Sequence, residues 1–183
     1  MYLRPSEAFR LRVQDIVKPV RKGSRGYRHY SILLHPMEEG VPSKTLQRDE
    51  MLALDLEYQK WLGPALVKTL RLDHRQKEHL AFNITQQQVI DFMGEHWEAL
   101  GLKTIGEPHM YRLRHGGASH DAVCHYRPLA EIQTRGRWMS LKSVRNYEKG
   151  NRLMQLFGSL SPDVQRRATE AAIELPRMFR CRL

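Results

Sequence analysis

The stretch from Met110 to Tyr147, MYRLRHGGASHDAVCHYRPLAEIQTRGRWMSLKSVRNY, decides how the chain is read. Arg114 and His115 are followed by the small residues Gly116, Gly117, Ala118 and Ser119. A helical pattern of apolar and basic residues comes next, then Gly136-Arg137-Trp138, then Tyr147 among the cations Lys142, Arg145 and Lys149. Guanidinium groups hold phosphate through paired N–H donors, and a tyrosine hydroxyl can act as a covalent nucleophile. A segment that supplies both, in a basic chain, points to chemistry on a phosphodiester.

Composition agrees with that direction. The 183 residues fit one domain with a tail and are enough to bury a core. Hydrophobic residues make up 41%, too many for a disordered chain. The net charge of +10 and pI of about 9.9 are the electrostatic footprint of a polyanion binder, although charge alone fits a merely soluble basic protein equally well. Cys124 and Cys181 make no disulfide framework, and the opening MYLRPSEAF has no apolar signal-peptide core. No apolar run approaches the length of about 20 residues that crosses a bilayer. These features predict a soluble protein in a reducing compartment. The chain opens on a helix start with no lead-in, which reads as a domain cut from a longer protein or a shortened gene product.

Outward from the central stretch, local signals place the elements. Pro5 and Ser6 start a helix running to about Asp15. Residues 16–20 form a short edge strand interrupted by Pro19. His29–His35 and Arg48–Asp55 make a hairpin with Lys44 on its loop side. Leu56 to Leu72 is helical, with Pro64 expected to kink or split it. Thr85 caps an amphipathic helix to Leu100, with Val89, Ile90, Phe92, Met93 and Trp97 as the buried face and Gly101 as its stop. Helices follow at about 109–123, 128–135 and 140–149. A last helix starts at Ser161-Pro162-Asp163 and breaks at Pro176. The expected fold class is mainly α with a small antiparallel β-sheet (α+β).

Five groups stand out in order along this frame: Arg4, Lys44, Arg114, Trp138 and Tyr147. Together they resemble the catalytic domain of the tyrosine recombinases, or phage-type integrases, over nearly all of residues 1–150. Tyr2-Leu3-Arg4-Pro5-Ser6-Glu7-Ala8 looks like the family's first-arginine box. Pro42-Ser43-Lys44-Thr45 with Arg48-Asp49-Glu50 looks like the hairpin that carries its lysine. Tyr111-Arg112-Leu113-Arg114-His115 looks like its second box, and Trp138 and Tyr147 stand where the family has a His or Trp and the nucleophile. The resemblance implies a catalytic domain at 1–150, with the helical domain that family members carry before the first box absent, and a C-terminal helical tail at 151–183.

It also implies a reaction. Arg4 and Arg114 would clamp the non-bridging phosphate oxygens, where preorganised charge counts most. Lys44 would protonate the leaving 5′ oxygen. Trp138 would donate its indole N–H to phosphate. Tyr147, ionised by its cationic surroundings, would attack and form a 3′-phosphotyrosine that a 5′ hydroxyl can reverse. Glu7 would orient Arg4, with Tyr111 and His115 in support. The implied activity is DNA recombination or integration by a mobile-element enzyme, without metal or other cofactor. Its partner is double-stranded DNA, on which copies of the chain assemble as a homo-oligomer. The implied location is intracellular and DNA-associated, the nucleus in a eukaryote or the nucleoid in a bacterium, with no membrane. The sequence departs from the family at Tyr111, where a His is usual, and a phenol is a poor base near neutral pH.

Each residue also has a plainer reading. Arg4 and Lys44 taken singly read as solvated surface groups, and Tyr111, Trp138 and Tyr147 as packing groups. Gly116, Gly117 and Ala118 suit close helix packing. His115, His120, Cys124 and His125 match no standard zinc spacing. Two other functions stand beside the first: a DNA-binding module of the same fold that no longer cuts, and an unrelated basic helical protein that binds RNA or an acidic partner.

Overall fold

The computed structural model describes residues 2–20, 28–34, 50–147 and 150–180. It is mainly helical with one small antiparallel sheet. The chain groups into two compact units, one of Met1–Pro5 with Ile84–Leu175 and one of Ser6–Asn83 with Pro176–Leu183.

In the unit built on Ser6–Asn83, helix α1 (Pro5–Arg10) ends earlier than the sequence suggests and gives way to a 3-10 turn at Val13–Asp15. The cause is a competing backbone partner. Val13 N–H donates to His79 O, Gln14 N–H to Lys77 O and Ala81 N–H to Leu11 O, at 2.9, 3.0 and 2.6 Å. A backbone amide paired outward cannot also close a helical turn. Strands β1 (Ile16–Val17), β2 (Ser31–Leu34) and β3 (Glu50–Ala53) follow in the order β1-β2-β3, all antiparallel, so β1 is an edge as Pro19 suggests. Ile32 lies opposite both Ile16 and Leu52, and all three are buried. Residues directly opposite share a face, so this row is the apolar side of the sheet, while Met51 projects to the exposed side. Lys44 and the hairpin tip lie outside the described residues.

The pattern from Leu56 to Leu72 resolves into a 3-10 turn (Glu57–Gln59), helix α2 (Leu62–Thr69) and a second 3-10 turn (Leu72–His74). Pro64 does not split α2, which runs unbroken through it. It is the third helical residue, where the missing N–H would have no intrahelical partner anyway.

The other unit is helical: α3 (Gln86–Ala99), α4 (Met110–Val123), α5 (Leu129–Gly136), α6 (Leu141–Val144), a 3-10 turn at Arg145–Tyr147, α7 (Gly150–Gly158) and most of α8 (Pro162–Arg180). The Thr85 hydroxyl accepts from Gln88 N–H at 3.2 Å, and the Gln88 side chain accepts from Thr85 N–H at 2.8 Å, a complete capping box. Gly101, at φ 73°, ends α3 in a Schellman turn, with Gly101 N–H on Glu98 O and Leu102 N–H on Trp97 O. The expected buried face of α3 is not buried. Val89, Ile90, Met93 and Trp97 are half-covered, and Phe92 is 60% exposed. Periodicity defines a stripe; only packing decides what covers it.

The core of this unit is Tyr2, Ala118, Ile132 and Val144, with Ala122, Leu129, Trp138 and Tyr147 packed at its border. Helix α8 starts on a Ser161 cap and continues through Pro176 to Arg180. The expected break does not occur. Proline withholds one helical hydrogen bond and crowds a carbonyl, but beyond it Phe179 stacks on Trp61 with ring centres 5.4 Å apart. That contact gives the last turn a reason to stay helical. Among the described residues no helix is long and apolar enough to cross a membrane.

Candidate active site

The site is built on α4. The His109 side chain caps the helix by accepting Tyr111 N–H at 3.1 Å. From there Tyr111, Arg114, His115, Ala118, Asp121 and Ala122 recur at three and four residues and share one face. Arg114, Ala118 and Asp121 are buried, while Tyr111 and His115 are exposed.

Arg114 is 5% exposed. Its two terminal nitrogens donate to Tyr2 O and to Gly136 O, so two of its N–H groups hold backbone carbonyls from two other parts of the chain. Its guanidinium lies 4.7 Å from the centre of the Trp138 ring, a cation–π contact. This is a cation fixed in place.

Trp138 reaches that position because of the two residues before it. Arg137 caps α5 at φ 53°, turning the chain back. A Cβ on Gly136 would stand 1.7 Å from Trp138 Cζ3, so only glycine leaves room for the indole to fold over it. The Trp138 ring then meets Tyr2 at 5.9 Å and Tyr147 at 5.1 Å between centres. Among the described residues no group takes its indole N–H.

Tyr147 arrives from a third direction. Ser140 caps α6 by accepting Ser143 N–H at 3.3 Å, fully buried Val144 docks the helix in the core, and the following turn delivers the phenol. The Tyr147 hydroxyl is hydrogen-bonded to His115 Nδ1, with the rings 5.7 Å apart. Burial pushes the Tyr147 phenol above its ordinary 10.0, and the Arg114 charge partly offsets this. Partial burial, with the nearby Arg114 charge and His109, holds His115 below its ordinary 6.5, which favours the uncharged imidazole.

The residues singled out in the sequence therefore divide. Arg114, His115, Trp138 and Tyr147 come together, and Tyr111 stands at the edge, its ring 6.1 Å from that of His115. Arg4 lies just before α1, half-buried, on the segment that Tyr2 anchors. Glu7 is on α1 in the other unit, and Lys44 lies outside the described residues.

Sequence reasoning missed a buried polar network behind the site. The Tyr2 hydroxyl donates to Asp121 Oδ2, which Arg127 Nε also approaches at 3.6 Å, and Arg127 pairs onward with Glu131. Asp121 and Arg127 are both buried. Tyr2 thus binds α4 twice, by its carbonyl to Arg114 and by its hydroxyl to Asp121. The available signal was the two-turn spacing of Asp121 from Arg114, which puts an acid on the buried stripe of α4. Among the described residues no three His, Cys, Asp or Glu side chains converge to hold a metal ion.

The arrangement offers a phenol beside a fixed cation, an indole and a neutral imidazole. It suits a nucleophile aimed at an electrophile that bears negative charge. No family model, no curated protein and no solved structure matches the chain.

Proposed function

We propose that the chain cleaves and rejoins DNA strands through a covalent 3′-phosphotyrosine, as a site-specific recombinase or integrase of the tyrosine type from a mobile element. The observation that carries this reading is the gathering of Arg114 and His115, from α4, and Trp138, from the segment after α5, around the phenol of Tyr147. In the reaction the Tyr147 oxygen bonds to phosphorus and the bond from phosphorus to the 5′ oxygen breaks. The 5′ strand leaves as a hydroxyl, its proton supplied by Lys44 on the resemblance. Arg114 supplies fixed positive charge to the pentavalent state, Arg4 adds the second guanidinium, and the Trp138 indole N–H offers a further donor. Duplex DNA is the partner, and copies of the chain assemble on it.

A second reading, a DNA-binding module that no longer cuts, draws on two observations. Arg114 gives two of its donors to carbonyls rather than to open space, and Tyr111 stands where the family has His.

The experiment that separates the two uses a pool of random nicked duplexes, whose cleavage releases a short fragment and traps the intermediate. A denaturant-resistant protein–DNA adduct with the parent chain and none with Tyr147→Phe is the expected result. Salt-sensitive duplex binding without an adduct from either protein sinks the strand-transferase reading in favour of the binding module.

A further inference from the structure

We propose that His115 is the group that accepts the Tyr147 proton during attack, through the hydrogen bond joining its Nδ1 to the Tyr147 hydroxyl. This rests on the reading of Tyr147 as the nucleophile and names the proton's destination. Without an acceptor, a phenol whose ionised form is disfavoured by burial is a weak nucleophile at neutral pH.

The geometry meets the requirements of a general base. The acceptor must lie within hydrogen-bonding reach of the proton it removes, and His115 does. It must also be uncharged before the step. Partial burial and the charge of Arg114 favour the neutral imidazole, which leaves Nδ1 bare when the ring proton sits on Nε2. The charged and titratable groups around it are Arg114, His109 and Tyr111 on α4 and its cap, and Tyr147 on the turn after α6. Arg114 disfavours a lasting imidazolium and favours the phenolate, so the proton is accepted during attack and then lost. The ring is exposed, so water can take that proton.

The step balances. The Tyr147 O–H bond breaks and its proton passes to His115 Nδ1. The Tyr147 oxygen bonds to phosphorus, and the bond to the 5′ oxygen breaks. On rejoining, a 5′ hydroxyl gives its proton to Lys44 and attacks the phosphotyrosine, the bond from phosphorus to the Tyr147 oxygen breaks, and Tyr147 leaves with a proton that water returns through His115 Nδ1.

The test follows the rate of adduct formation on the nicked random duplex pool against pH, for the parent, His115→Ala and His115→Asn. The parent rate is expected to fall on an acid limb that lies below the ordinary imidazole value of 6.5, where His115 becomes protonated. His115→Ala should be slower by about a hundredfold at pH 7, lose that acid limb, rise with pH toward phenol ionisation, and recover in part with added imidazole. His115→Asn, whose amide can still hold the phenol but not take its proton, should stay slow. A parent-like rate and pH profile in His115→Ala would overturn the proposal, as would full recovery in His115→Asn, which would make His115 a positioning residue. Because the side chain is exposed, all three proteins should melt together near pH 7, above the acid flank. No adduct from the parent itself removes the strand-transferase reading and this inference with it, an outcome distinct from an active parent indifferent to His115.

Discussion

Helices α3 and α4 are the same length, 14 residues each, and invert what their sequences suggest. Helix α3 carries the clean apolar stripe and buries nothing fully. Helix α4 reads as polar, with Arg, His, Asp and paired glycines, yet it buries Arg114, Ala118 and Asp121 and holds the unit's core. The difference teaches that burial follows partners. Arg114 and Asp121 can be buried because each has its hydrogen bonds and opposite charges or carbonyls in place, without which the cost would be several kcal/mol. Phe92 faces outward because no described element lies over it.

The comparison can be broken at α4 first. Asp121→Asn keeps the shape but removes the charge that faces buried Arg127, and should cost about 3 kcal/mol in denaturant unfolding. A change near zero would mean the network is not what anchors Tyr2 to α4. Next is Gly136→Ala, where the new methyl collides with Trp138 and should cost about 2 kcal/mol. It should also weaken the packing of Trp138 on Tyr147, read as a change in tryptophan fluorescence. Phe92→Ala on α3 should stay within about 0.5 kcal/mol of the parent. A loss there as large as at Asp121 would erase the contrast between the helices.

The smallest expected effect is on pH dependence, and it sharpens the account of the site. His115 sits below its ordinary 6.5 in the fold, so the folded chain binds fewer protons than the unfolded one as pH falls from 6.5. Stability should decline on that flank. Tyr147 sits above its ordinary 10.0, so stability should also decline as pH rises past 10.0. Melting temperature against pH should therefore be level between the two flanks. His115→Ala should flatten only the acid flank and Tyr147→Phe only the alkaline one.

Much of the frame was legible in the sequence. Thr85, Gly101, Ser140 and Ser161 each mark a helix end through hydrogen bonds to residues a few positions away. The alternation in Glu50–Ala53 marks a strand with one apolar side. Failures occurred where a distant group competed. The carbonyls of Lys77 and His79 take the amides that would have extended α1, and Phe179 stacks on Trp61 beyond the proline of α8. Of the set read in order along the chain, Arg4, Lys44, Arg114, Trp138 and Tyr147 with His115 in support, the structure gathers Arg114, His115, Trp138 and Tyr147. Tyr2, Asp121 and Arg127 were not, since an aromatic at the start of a chain and an isolated Asp and Arg carry no pattern of their own.

By itself, then, the sequence determined the helix starts and stops, the strand alternation and the basic character, because capping, periodicity and charge depend on near neighbours or on none. The tertiary structure alone decided that Arg114 is buried, that Trp138 folds over Gly136, and that Tyr147 meets His115. The bonds that decide these matters join residues far apart, 112 positions for Arg114 to Tyr2 and 32 for His115 to Tyr147. Such partners exist only once the chain has folded to bring them together, and local signals hold no record of them.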